Sequence, residues 1–171
     1  QEPAADPVET LSAEAYYAAY GRLVGDYLRS GDDSLALTAR SFNISERELT
    51  CLTGEYMLGG MDEAAARTAA ENQLVEKYTL YHLALRDGVE PDEAGVRENL
   101  EYNRALSKES SNNAEFLLFL DAAGLTHDEY WDSQYENFLM LDVIARYQAQ
   151  LHDAFVGEHA SDDAAEREAQ W

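Results

Sequence analysis

The sequence predicts an all-α fold, an irregular multi-helix domain with one long C-terminal helix and at most one short strand-like segment. Apolar and aromatic residues recur at alternating steps of three and four positions, which places them on one stripe of a helix. Short segments between these stripes carry helix caps, glycines and turn residues. We expect about six or seven helices, and their unequal lengths do not fit a regular four-helix bundle.

Three predicted helices show the apolar stripe most clearly, and each stripe indicates a face turned towards other helices. The long central helix is expected from Met61 to Arg86, and the last from about His127 to Phe155. Trp131 and Phe138 are expected mainly in the core, and any exposed part of their stripe would line a cleft. The stripes are Tyr16, Tyr20, Leu23 and Tyr27; Leu74, Tyr78, Tyr81 and Leu85; and Trp131, Tyr135, Phe138, Ile144, Tyr147 and Leu151.

Local signals mark where several helices begin and end. Ser45 with Glu48, and Thr126 with Glu129, have the spacing of a capping box, in which side chain and backbone satisfy each other. Gly88 suits the left-handed position after a helix. We place Pro91 in the first turn of the next helix, where its missing N–H costs nothing.

One segment, "SLALTARSF" from Ser34 to Phe42, has the alternation of a strand. It is short, and no convincing partner strand follows it. A strand and an extended loop are therefore both open here.

The charge balance excludes some partners. Lys and Arg number 12 against 34 Asp and Glu, so the net charge is −22. Binding to phosphate backbones needs basic side chains, so neither nucleic acid nor an anionic membrane surface is an expected partner. An acidic surface of this kind favours solubility.

The chain divides into a flexible leader at residues 1–9, a helical domain at 10–156 and a charged tail at 157–171. Cys51 is the single cysteine, so no internal disulfide can form, which leaves secretion open. We expect Cys51 to behave as a small buried apolar residue. No segment has enough consecutive apolar residues to span a membrane.

Motifs for catalysis or cofactor binding are missing from the sequence. The four histidines include no pair spaced four apart, and no cysteine pair, phosphate-binding loop or nucleophile motif is present. We therefore expect no metal, no cofactor and no enzymatic activity.

The order of the capping and turn motifs resembles the N-terminal chaperone domain of SurA-type periplasmic chaperones and PrsA-type extracytoplasmic foldases. The resemblance covers about residues 35–156. The motifs are Ile44, Ser45 and Glu48 at a helix start; Gly88, Val89, Pro91, Asp92 and Glu93 at a turn; and Leu120, Gly124, Leu125, Thr126, Glu129 and Tyr130 before the last long helix.

The chain also departs from that family. Nothing in it resembles the parvulin-type isomerase domain that many relatives carry. The tail "DAAEREAQW" would correspond to the start of the family's returning C-terminal helix, cut short. A second copy could then supply the missing contact, so a homodimer is one expected state.

The resemblance implies an ATP-independent extracytoplasmic chaperone that binds unfolded or partly folded polypeptides through an apolar cleft. The expected location is secreted, periplasmic or at the cell surface as a lipoprotein, with anchoring only through a removed lipidated N-terminus. The alternative is a secreted or lipid-anchored helical assembly protein that recognises one specific partner. Met57, Met61, Phe116, Phe119 and Trp131 are the expected client-binding residues.

Overall fold

The computed structural model describes residues 11–158, and it confirms the predicted fold class and the long C-terminal helix. The described chain forms seven helices and one two-stranded sheet. The predicted leader and all but the first two residues of the predicted tail lie outside the described residues. The elements are α1 (Ala13–Arg29), β1 (Leu35–Thr38), β2 (Asn43–Ser45), α2 (Glu46–Leu58), α3 (Glu63–Arg86), α4 (Glu93–Glu109), α5 (Asn113–Ala123), α6 (His127–Ser133) and α7 (Tyr135–Glu158).

Between Leu11 and Glu158, no helix combines the length and the apolar composition that crossing a bilayer requires.

The two predicted capping boxes have different outcomes. The Thr126 hydroxyl accepts the Glu129 N–H at 3.2 Å and the Glu129 carboxylate accepts the Thr126 N–H at 2.8 Å, so this box is complete. Ser45 accepts the Glu48 N–H at 3.3 Å. The Glu48 carboxylate, however, accepts the Tyr78 hydroxyl of α3 at 2.9 Å, so the second half of that predicted box is wrong.

Two predicted helix boundaries also need correction. The cap of α4 is Asp92, whose carboxylate accepts the Gly95 N–H at 3.0 Å, so Pro91 lies before the helix and not in its first turn. The predicted last helix is divided at Gln134, whose N–H bonds to the Trp131 carbonyl three residues back. Gly88 has φ +81°, which confirms its predicted left-handed conformation.

The strand-like segment is a strand, and a partner follows it. β1 pairs antiparallel with β2, with Leu37 opposite Ile44 and Thr38 opposite Asn43. The partner was missed because it has three residues and runs directly into the cap of α2. Ile44 is fully buried beneath α2 and α3, so the hairpin closes one end of the core.

Helix α3 is the element that joins two clusters of buried side chains. Its 24 residues extend for about 36 Å at 1.5 Å per residue. The half that contains Leu74 packs against α2 and the hairpin, and the half that contains Ala84 packs against α7. Burying a leucine such as Leu74 contributes about 2 kcal/mol of stability. Each cluster therefore stabilises the part of the domain in which it lies.

The contact between α1 and α5 is made through glycine. Gly21 and Gly25 are the buried residues of α1. A Cβ at Gly21 would overlap the Phe119 carbonyl oxygen, and one at Gly25 would lie 2.5 Å from the Ala123 carbonyl oxygen. The glycine side of α1 therefore lies against the backbone of α5, and the tyrosines of α1 are half-buried.

Candidate functional site

An open cavity of 310 Å³ lies between α1, the C-terminal end of α4, α5 and α6, and we call it the aromatic cleft. Six of its lining residues carry aromatic rings, and the others include serine and asparagine side chains. The lining consists of Tyr17, Tyr20, Asn103, Leu106, Ser107, Ser110, Asn112, Phe116, Phe119, Tyr130 and Trp131.

The aromatic rings of this cleft form a connected network. The ring centroid of Phe116 lies 5.9 Å from that of Phe119, 5.3 Å from Tyr130 and 6.3 Å from Trp131. On the α1 side, Tyr20 contacts Phe119 at 5.3 Å. Edge-to-face and offset pairs of this kind contribute about 1 kcal/mol each beyond their burial. These contacts stabilise one arrangement of the rings, which together form the apolar wall of the cleft.

A hydroxyl group joins two helices behind this wall. Ser107 of α4 accepts the indole N–H of Trp131 at 3.2 Å, lies 2.8 Å from Nε2 of His127 and donates to the Arg104 carbonyl at 2.9 Å. A hydroxyl donates one hydrogen bond and accepts two, so this network assigns the proton of His127 to Nε2. The serine proton then points to a backbone carbonyl, whereas an activated serine nucleophile would donate to the imidazole.

Three of the five expected client-binding residues come together in the aromatic cleft: Phe116, Phe119 and Trp131. Trp131 and Phe119 are buried, and Phe116 is half-buried between them. Met57 lies in the last turn of α2 and Met61 in the connection to α3; each is 44% exposed, and neither is part of this lining. Phe138 lies half-buried beside Trp131, with ring centroids 6.5 Å apart.

A second cavity, of 350 Å³, lies between α1, α2, α3 and the region where α6 meets α7, and we call it the polar cleft. Tyr20 and Tyr130 belong to the linings of both clefts. The other lining residues are Val24, Tyr27, Leu28, Glu48, Cys51, Leu52, Glu55, Gln73, Leu74, Lys77, Ser133, Gln134 and Asn137.

The charged groups of the polar cleft are held in different ways. Glu48 accepts the Tyr78 hydroxyl, and the Lys77 ammonium donates to the Asn137 side-chain carbonyl at 3.2 Å. Among residues 11–158, no hydrogen bond or ion pair reaches the Glu55 carboxylate, and burial raises its pKa. Burial, followed by the negative charge of Glu55, raises the pKa of Tyr20. Glu55 therefore lies in the cleft as a carboxylate without a counter-ion.

Cys51 also lines the polar cleft and is half-buried, less than the sequence led us to expect. Burial raises the pKa of its thiol to about 11, with smaller effects from Glu55 and Glu48. The thiolate is the reactive form, so this cysteine is a weak nucleophile at neutral pH.

Within the described part of the chain, no group of three or more histidine, cysteine, aspartate or glutamate side chains is arranged to hold a metal ion.

The polar cleft was missed in the sequence because its residues come from four separate segments. One signal was present: Glu48 and Glu55 are seven residues apart and therefore share a face of α2, with Leu52 between them. Nothing in the sequence shows that α1 and α3 place tyrosines and a lysine opposite that face.

Comparison of the chain with protein-family models, with curated proteins and with solved structures finds no match in any of the three.

Proposed function

We propose that this protein binds exposed apolar segments of unfolded or partly folded polypeptides without ATP, as a chaperone-type domain. The observation that carries the proposal is the aromatic cleft, which is open and has a ready-formed apolar wall. Its 310 Å³ is near the lower end of the range for ligand pockets, about 300–1,000 Å³. One or two large side chains of a polypeptide fit such a volume.

The edge of the aromatic cleft supports binding of a polypeptide. Leu106 is 47% exposed at the edge and extends the apolar surface. Asn103 and Asn112 also belong to the lining. The Asn103 amide nitrogen bonds to Asn99 and the Asn112 amide oxygen accepts from Ser110, so the Asn103 oxygen and the Asn112 nitrogen are the groups that would accept from and donate to the backbone of an extended segment. The acidic surface would keep the complex soluble.

The resemblance to SurA-type and PrsA-type chaperone domains supports the same proposal. From the same resemblance we propose an extracytoplasmic location.

The first test is suppression of aggregation. Two unrelated unfolded proteins are diluted from denaturant with and without this chain, in the absence of ATP, and light scattering is followed. We expect suppression of both, reduced by Leu106→Gln at the edge of the cleft. Leu151→Gln is the matched control, because Leu151 is 42% exposed on α7 and is not in the lining. Equal effects of the two variants, or none on either protein, contradict the proposal.

The alternative is an assembly protein with one partner, and the polar part of the cleft favours it. Ser110 and Asn112, whose side chains hydrogen-bond to each other, belong to the lining and could fix the direction of a particular segment. Breadth of binding separates the two functions. A chaperone suppresses aggregation of unrelated proteins, whereas an assembly protein suppresses neither and binds one partner with a defined stoichiometry.

A further inference from the structure

The aromatic cleft and the polar cleft lie end to end along one side of α1. Tyr17 and Tyr20 line the first, and Tyr20, Val24 and Tyr27 line the second. These residues follow one another at steps of three, four and three, so they share one face of the helix. From Tyr17 to Tyr27 this face extends for about 15 Å at 1.5 Å per residue. Such a length matches about four or five residues of an extended polypeptide.

The chemistry changes along this face. The half beyond Tyr20 contains the carboxylates of Glu48 and Glu55, and only Lys77 among its lining residues carries a positive charge. Because the Lys77 ammonium bonds to Asn137, the Glu55 carboxylate stays without a charged partner among the described residues. A half-buried carboxylate of this kind favours an incoming cation.

The walls of the polar cleft also suit a cation. Tyr20 and Tyr130 supply aromatic rings, and the faces of such rings attract ammonium and guanidinium groups. The ring of Tyr27 already has the Arg47 guanidinium 5.4 Å from its centroid, which shows this kind of contact within the protein itself. The net charge of −22 would in addition draw basic segments towards the protein.

We propose that the two clefts bind one continuous polypeptide segment, with a large apolar side chain in the aromatic cleft and a lysine or arginine, about three residues away, in the polar cleft. This inference rests on the proposed function and specifies its ligand. The protein would select segments in which an apolar and a basic residue are close together.

The test uses the full chain and a matched pair of capped nine-residue peptides. Both have a Gly/Ser background with a phenylalanine–leucine pair, and three positions later one carries lysine and the other glutamine. Binding is followed by two-dimensional NMR titration at physiological salt. We expect the lysine peptide to bind about tenfold more tightly than the glutamine peptide, as a hydrogen bond to a charged group allows.

Two variants locate the effect. Glu55→Gln should remove most of the tenfold preference, so that the two peptides bind with similar affinity. Glu98→Gln is the control for loss of one negative charge, since Glu98 is exposed on α4 and outside both linings. It should keep the preference.

Each outcome decides between the proposals. Equal binding of the two peptides to the unmodified chain overturns this inference and leaves the proposed function standing. A preference that Glu98→Gln reduces as much as Glu55→Gln also overturns it, because the effect is then due to total charge. If neither peptide binds, the proposed function and this inference fail together.

Discussion

The two clefts share Tyr20 and Tyr130 and are similar in volume, 310 and 350 Å³, but they are built in different ways. The aromatic cleft has a wall in which each ring contacts others and the polar groups behind it are joined through Ser107. The polar cleft has separately held charged groups, one of which, Glu55, has no partner among residues 11–158. This difference indicates that the aromatic cleft would select a ligand mainly by its shape and the polar cleft mainly by its charge.

The largest expected effect is on the packing of α1, the helix that contributes tyrosines to both clefts. Gly21→Ala should reduce the free energy of unfolding by about 3 kcal/mol, because the new Cβ overlaps backbone of α5 that cannot move aside. Chemical denaturation measures this change. Gly157→Ala on α7 is the control, since a Cβ there meets nothing within 4 Å and alanine favours the helix. A Gly21→Ala protein as stable as the original would show that α1 and α5 can separate freely.

Ser107→Ala should have the next largest effect and should act on the aromatic cleft alone. It leaves the Trp131 indole N–H and the His127 imidazole without their shared partner, at a cost of about 2 kcal/mol. Thermal and chemical unfolding would measure the loss. Ser111→Ala, at an exposed position outside the cleft lining, should change stability little. Similar results for the two variants would mean that Ser107 does not join α4 to α6.

Thr126→Ala tests how much the helix cap at the start of α6 contributes to stability. Loss of the cap should cost about 1 kcal/mol, because the Glu129 backbone N–H loses its acceptor. Thr79→Ala, at an exposed position inside α3, is the comparison and should be neutral or slightly stabilising, since alanine is the better helix former. The midpoints of denaturant unfolding measure the stability of the two variants. A smaller loss of stability for Thr126→Ala than for Thr79→Ala contradicts the prediction.

The smallest expected effect is on the polar cleft and depends on pH. Burial raises the pKa of Glu55 in the folded protein, so between the unfolded and folded pKa values the folded state binds more protons. Its effect on stability is therefore most favourable below the unfolded pKa and is lost as pH rises through the folded pKa. Glu55→Gln should be more stable than the original at pH 7 by less than about 1 kcal/mol, since the group is partly solvated.

This difference should disappear at a pH below the unfolded pKa of a glutamate. Unfolding measured across the acidic range checks the prediction, with Glu98→Gln as the control for charge. A difference that grows on acidification would mean that the carboxylate is stabilised in the folded protein. The same substitution is expected to weaken binding of basic segments, so stability and recognition oppose each other at this residue.

Features set by neighbouring residues could be predicted from the sequence, whereas features set by distant contacts could not. The Thr126 cap and the turn at Gly88 depend on a few adjacent positions, and both were predicted. The second half of the Ser45 box was predicted wrongly, because the Tyr78 hydroxyl reaches the Glu48 carboxylate from another helix. Gly21 and Gly25 are four apart, the spacing of a helix face, but the sequence does not show which helix that face meets.

The candidate site shows the same limit. Phe116, Phe119 and Trp131 could be proposed as binding residues because large aromatics in amphipathic helices end in a core or a cleft. Met57 and Met61 were predicted from side-chain chemistry alone, and the end of α2 and the connection after it are not part of the cleft lining. The polar cleft required knowledge of how four segments meet.

The position of Trp131 gives the protein a built-in optical reporter. The chain has two tryptophans, and replacing Trp171 with phenylalanine leaves all indole emission at the wall of the aromatic cleft. Because the indole N–H is held by Ser107 and the ring lies among other rings, a ligand that enters the cleft changes the surroundings of the fluorophore directly. Occupancy could then be followed in real time without a label, on ligands too weak or too transient to isolate.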